Sequence, residues 1–136
     1  MRYLLDTNIL SDIVRNPGGR ITEAIRRVGA TEICTSIIVA AELRYGAAKR
    51  ASTRLATQLE VILTAIEIMP FETPMDAAYG ALRAELERRG TLVGPHDMLI
   101  AAQCLALDLT LVTDNEREFA RVDRLHIENW LRAEST

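Results

Sequence analysis

Four carboxylates interrupt apolar runs in this chain of 136 residues. Asp6 closes Tyr3-Leu4-Leu5. Glu42 breaks the apolar stretch 37–43. Asp97 follows Gly94-Pro95-His96 and opens the apolar stretch 98–102. Asp114 closes the run 109–113. A carboxylate beside a buried run costs several kcal/mol unless it is paired or binds a metal. No Lys or Arg adjoins Asp6, Asp97 or Asp114 in sequence. A shared divalent cation would compensate all four acids at once.

The chemistry that uses such a cluster is hydrolysis of a phosphodiester. Carboxylate oxygens are natural ligands for Mg²⁺ or Mn²⁺. Such ions activate a water and steady the leaving oxygen, so no side-chain nucleophile is needed. The chain holds no convincing Ser-His-Asp or Cys-His set. Its two histidines, His96 and His126, lack metal-ligand spacing to a second His or Cys, which argues against zinc. Gly18-Gly19 is not followed by Lys-Ser or Lys-Thr, so there is no phosphate loop. Each acid also has a structural reading. Asp6 or Thr7, and Asp97, suit helix caps. Asp114-Asn115 suits a turn. Glu42 could face solvent or pair with Arg50.

The elements that must position these acids alternate between strand and helix. Strands are expected at 2–5, 32–35, 66–69, 109–113 and 125–128. Helices are expected at 7–15, 20–29, 37–50, 52–65, 74–89 and 97–107, with a short turn or helix at 115–119. Asn16-Pro17-Gly18-Gly19 is a strong turn signal. Pro74 suits a helix start. Strands separated by helices imply a parallel sheet covered on both faces. Sites in such sheets form beyond the carboxyl ends of the strands, where Asp6 and Asp114 both stand.

Composition narrows the class. Apolar residues make up 49% of the chain, enough for one sizeable core. The apolar runs are far shorter than the roughly twenty residues that span a bilayer, and the N-terminus lacks a signal-peptide pattern. Cys34 and Cys104 read as core thiols in a reducing compartment. A soluble cytoplasmic protein is expected, with a flexible tail at 133–136. The net charge is −3, so overall charge does not advertise a nucleic-acid binder. Basic residues nonetheless cluster at Arg44, Lys49, Arg50 and Arg54, and again at Arg83, Arg88 and Arg89.

Taken together, four segments resemble the PIN domain, and more narrowly the VapC toxins of VapBC toxin–antitoxin pairs. They are Leu5-Asp6-Thr7-Asn8, Ala41-Glu42-Leu43-Arg44-Tyr45-Gly46, Gly94-Pro95-His96-Asp97-Met98-Leu99-Ile100-Ala101, and Leu111-Val112-Thr113-Asp114-Asn115 with Glu118-Phe119. The resemblance implies a single PIN domain over residues 1–132. It implies an α/β fold, a three-layer α/β/α sandwich with a parallel sheet of about five strands. It implies Mg²⁺- or Mn²⁺-dependent cleavage of single-stranded or loop RNA, tRNA included. Asp6, Glu42, Asp97 and Asp114 would then be catalytic and hold the metal. Thr7, Thr113, Asn115 and Glu118 would support them, and Asn115 or Glu118 could share the role of Asp114. Arg44, Arg83 and Arg89 are the candidates for RNA phosphates. The implied partners are a VapB-like antitoxin and a second copy of the chain, with operator DNA reached only through the antitoxin and no membrane.

Other readings compete. A flap-type DNA nuclease shares an acidic site but normally carries insertions too long for this chain. An inactive regulatory PIN module is disfavoured by the intact Asp6, Glu42 and Asp97. A receiver-like phosphate-accepting domain would need paired acids near the first strand and a Lys ending a late one. Both are missing.

Overall fold

Short apolar runs here become strands, and the longer amphipathic or apolar stretches become the helices between them. The computed structural model describes residues 2–132, and the tail expected at 133–136 lies outside them. Five parallel strands form one sheet in the order β3-β2-β1-β4-β5. They are β1 (Tyr3–Leu5), β2 (Ile33–Ser36), β3 (Glu67–Met69), β4 (Thr110–Val112) and β5 (Ile127–Glu128). The helices are α1 (Thr7–Arg15), α2 (Arg20–Val28), α3 (Ile37–Lys49), α4 (Thr53–Ala65), α5 (Met75–Arg89), α6 (Pro95–Leu107) and α7 (Glu116–Phe119). A 3-10 turn at Ala30–Glu32 leads into β2.

The central strands are covered on both faces. Successive strand residues point to opposite sides, yet every residue of β2 and β4 is buried, as are Leu4 and Leu5 of β1. α1 packs on α2, α3 and α4, while α5 packs on α6. Phe119, Ile9, Leu10, Ile21, Ile100 and Leu111 are completely enclosed. The two thiols, Cys34 and Cys104, are free and buried. No helix among the described residues is long and apolar enough to cross a membrane.

Strand order sets where a site can form. The chain builds β1, β2 and β3 outward in one direction, then returns to add β4 and β5 on the other side of β1. The reversal falls between β1 and β4, and a parallel sheet opens a crevice at that point, beyond the strand ends. Leu5 pairs in register with Val112, so Asp6 and Thr113 leave the sheet side by side. The Asp6 N–H donates to the Val112 carbonyl at 2.9 Å.

Element boundaries differ from expectation by a few residues, mostly at helix starts. α6 begins at Pro95, whose fixed φ suits the first turn. Asp97 is therefore inside that turn, and Gly94 occupies the cap position. α5 ends where Gly90 takes a left-handed φ of 66° and Thr91 N–H reaches the Leu86 carbonyl at 3.0 Å. Only glycine adopts that conformation at little cost.

One buried side chain bridges two strands just below the crevice. Thr35 Oγ1 donates to the Leu5 carbonyl at 2.7 Å, and Thr35 is fully enclosed. Thr35→Val keeps the shape and removes that donor from the carbonyl preceding Asp6. We expect a loss of about 1–3 kcal/mol, measured by chemical denaturation against the parent protein.

Candidate active site

Asp6 is the best-fixed group of the site. It caps α1, with Oδ1 accepting from the Thr7 backbone N–H at 2.8 Å. Its Oδ2 accepts from the Thr113 hydroxyl at 2.7 Å, across the reversal between β1 and β4. The capping reading of Asp6 holds, and its second oxygen is left facing the crevice edge through Thr113. Burial raises its pKa above the usual carboxylate value, and the bonds from Thr113, Thr7 and Asn8 oppose that rise.

Asp97 and Glu118 meet beside Gly94. The Gly94 N–H donates to Glu118 Oε1 at 2.6 Å. A Cβ built on Gly94 would lie 3.4 Å from Glu118 Oε1 and 3.8 Å from Asp97 Oδ2, so both oxygens crowd one side of that residue. Asn115 adds a donor to Glu118 Oε2 at 2.7 Å. Glu118 therefore keeps its charge, and its pKa is lowered, first by the Gly94 N–H. Asp97 is pushed the other way, to about 7. Burial is the largest cause, followed by the hydrogen bond it shares with Glu118 and the charges of Asp6, Glu118 and Glu42. Of this pair, Asp97 is therefore the one that holds a proton to higher pH.

Glu42 completes the group from α3. Its side chain is 29% exposed, and its Oε1 is sequestered with no hydrogen-bond partner among the described residues. His96 Nδ1 stands 4.0 Å away, beyond hydrogen-bond reach. Burial raises the Glu42 pKa, His96 opposes this and Asp6 adds to it. Arg50, the partner offered by the sequence, makes no ion pair with it. An orphaned carboxylate oxygen beside three more acids is a donor set that suits a hard divalent cation. Among the described residues no group of three or more His, Cys, Asp or Glu side chains is arranged so that it could hold such an ion. Glu118 is turned to Gly94 and Asn115, and Asp6 to Thr7 and Thr113.

Other sequence candidates lie elsewhere. Asp114 is exposed, its Oδ1 accepts from Asn129 Nδ2 at 3.0 Å, and its N–H donates to Asn8 Oδ1 at 3.0 Å. Glu118, not Asp114, is the fourth carboxylate whose charge Asp97 feels. The Thr7 hydroxyl touches no carboxylate; it is buried without a partner, and the Thr7 contribution to Asp6 is its backbone N–H. Thr113 and Asn115 do contact acids of the group. The three candidate arginines are engaged on the surface. Arg44 pairs with Glu60, Arg83 with Glu87 and Tyr79, and Arg89 with Asp123 and Glu85. Arg15, which is not among the sequence candidates, lines a groove with Arg50 beside Thr7 and Glu42.

A parallel sheet with acids at its strand-order reversal defines a class, and comparison supplies the family. The PIN domain profile matches residues 3–125. Ribonuclease VapC2 of Rickettsia felis is 38% identical over 132 residues, covering 96% of this chain and 98% of that one. The tRNA(fMet)-specific endonuclease VapC of Salmonella typhimurium is 35% identical over 131 residues, with 96% and 98% covered. In the crystal structure of VapBC2 from Rickettsia felis bound to a promoter DNA fragment, one chain superposes with a TM-score of 0.87. It shares 36% identity, and the match covers 96% of this chain and 99% of that chain. DNA-bound VapBC from Salmonella typhimurium gives 0.85 at 34% identity, with 96% and 98% covered. The chain belongs to the PIN domain family and, within it, stands among the VapC ribonucleases.

The raised Asp97 carboxyl predicts a pH effect on metal-free protein. A folded pKa above the unfolded one means the native state binds more protons between about pH 4 and pH 7. That contribution is full below pH 4 and is lost as pH rises through 7. Solvent access to this half-buried group cuts the effect to on the order of 1–2 kcal/mol. Asp97→Asn removes the penalty, so its melting temperature in EDTA should exceed the parent's at pH 8 and converge with it near pH 4. Equal melting curves at both pH values would contradict the crowded-carboxylate account.

Proposed function

We propose that this chain is a Mg²⁺- or Mn²⁺-dependent endoribonuclease, the toxin of a toxin–antitoxin pair, acting on single-stranded or loop RNA such as tRNA. The observation that carries the reading is the meeting of Asp6, Glu42, Asp97 and Glu118 at the reversal of strand order, with one Glu42 oxygen left unpartnered. The names and titles of the relatives support it: a tRNA(fMet)-specific endonuclease, and toxin–antitoxin complexes solved on DNA.

The residues divide the work. Asp6 is held in place by Thr113 and the Thr7 N–H, so it presents a fixed charge. Glu42 offers the free oxygen. Asp97 would be free to ligate a cation once deprotonated, with Glu118 beside it on the same side of Gly94. When bound, a divalent cation would supply water activation and charge stabilisation at the leaving oxygen. Thr113 and Asn115 orient carboxylates rather than react. Asp114 is assigned a supporting place through Asn129, and Glu118 the fourth acidic one. A loop or splayed strand suits the shallow crevice better than an A-form duplex.

A small antitoxin with a basic, apolar tail would fit the acids and silence the enzyme, since cationic side chains form charge-assisted bonds with crowded carboxylates. We further assign the active form to a homodimer in the cytoplasm, where its RNA is found, with operator DNA contacted through the antitoxin.

Purified protein should cut tRNA and single-stranded RNA with Mg²⁺ or Mn²⁺ and lose all activity in excess EDTA. Asp6→Asn, Asp97→Asn and Glu118→Gln should each lose more than about 100-fold, because disturbing even the outer shell of a metal site costs 10–100-fold. Asp114→Asn should keep most of its activity. Undiminished turnover in EDTA would sink the mechanism. A large loss in Asp114→Asn with none in Glu118→Gln would reverse the choice of the fourth acid.

A further inference from the structure

A groove of about 230 Å³ runs away from the acids between α1, α3 and α4. Two rows of side chains form its walls. On α1 the row is Thr7, Ser11, Arg15; on α3 and its C-cap it is Glu42, Gly46, Arg50. Residues four apart on a helix form one surface ridge. Each ridge starts at the acidic end of the groove with Thr7 or Glu42. Each has a small residue in its middle and ends in an arginine. A Cβ at Gly46 would meet nothing within 4 Å, so the middle of the groove is open.

Both arginines are exposed, and neither has a carboxylate, hydroxyl or carbonyl partner among the described residues. That sets them apart from Arg44, Arg83 and Arg89, which are all paired. Eight residues of helix put the Cα atoms of the two arginines roughly 12 Å along each axis from Thr7 and Glu42. Leu43 and Leu59 lie under the groove and give it an apolar floor.

We propose that this groove is the track for the RNA strand on one side of the bond that is cut, with Arg15 and Arg50 as its phosphate clamp. The inference rests on the ribonuclease reading of the acids and adds the direction in which substrate leaves them. Charge decides the occupant. A strand crossing the acids brings negative charge that needs cations again a short distance on. Two free planar forks meet that need, because a guanidinium matches phosphate oxygens in bidentate fashion. The floor accepts ribose and base, while small residues at positions 11 and 46 leave room for the backbone to pass.

The test is binding, separated from catalysis. In an Asp97→Asn background, Arg15→Gln/Arg50→Gln is titrated against a fluorescein-labelled single-stranded RNA of mixed sequence by anisotropy at several salt concentrations. Affinity at low salt should fall severalfold. The slope of log affinity against log salt should shrink by about 1.4, since each phosphate contact on a single strand contributes roughly 0.7. Arg15→Lys/Arg50→Lys should recover the slope, because the charge is kept. Unchanged affinity and slope in the Gln pair would overturn the clamp. So would loss of antitoxin binding with RNA affinity intact, which would assign the groove to the antitoxin instead. The two readings fail separately. If intact protein leaves RNA uncut, the ribonuclease assignment falls. If it cuts RNA but the Gln pair binds like its parent, only the groove assignment falls.

Discussion

The hydrogen bond from Thr113 Oγ1 to Asp6 Oδ2 ties together the two strands between which the sheet reverses direction. Everything else at that edge is arranged around it. Parallel neighbours in a sheet lie about 4.8 Å apart, so residues leaving β1 and β4 at the same level are within reach of a short side chain. Threonine spans the gap and accepts in turn from the Asn115 N–H at 3.0 Å. That second bond starts the turn leading to α7, and α7 carries Glu118. One hydroxyl thus couples the orientation of the most buried acid to the position of the acid farthest along the chain. Without it Asp6 would lose its main compensation for burial, and a neutral protonated form would gain ground.

The same edge shows how a fold tolerates charges that oppose it. Asp6, Glu42, Asp97 and Glu118 come from four different elements: the ends of β1, α3, the first turn of α6, and α7. No single element is burdened by more than one of them. Two are held by neutral donors, Asp6 by Thr113 and Glu118 by Gly94 and Asn115. One, Asp97, holds a proton to unusually high pH. One, Glu42, is left with an unpartnered oxygen. The first two arrangements reduce repulsion, while the Glu42 oxygen remains an uncompensated cost that a cation would relieve. The groups best fixed by the protein are the ones whose place should not change, while the adaptable pair faces the open side.

Much of this was legible in the chain because it depends on local pattern. An apolar run ended by an acid identified the carboxyl ends of β1 and β4. Glycine and proline marked the helix limits, and the alternation of elements implied a parallel sheet. The fourth acid was harder to choose. Asp114 stands in the expected place after β4, but its side chain is turned by Asn129, a residue fifteen positions later that follows β5. Glu118 reaches the site only because the α7 turn folds back toward Gly94. Both outcomes are tertiary, and no spacing rule contains them. The candidate arginines are engaged for a different reason. Charge clusters on helices readily satisfy themselves with neighbours three or four residues away or across a helix pair, as Arg83 and Glu87 or Arg44 and Glu60 do. Density of charge in sequence therefore pointed at saturated surface.

Freedom rather than number is what makes a cation useful to a polyanion. Arg15 stands at the end of α1, next to Asn16-Pro17, and the acid one turn before it, Asp12, is buried and bonded to Asn16 at 2.9 Å rather than to the guanidinium. Arg50 caps α3 with its backbone N–H bonded to Gly46 and its side chain unclaimed. Helix C-termini favour cations through the backbone dipole, so both guanidiniums are stabilised where they stand without a carboxylate to neutralise them. The acids and these arginines then sit at opposite ends of the same two ridges. A net charge of −3 conceals this arrangement, because steering depends on where charge lies and not on its sum. A protein that is acidic overall can present a phosphate chain with a cation-loaded acidic end, an apolar floor and a basic exit, all within about three turns of helix.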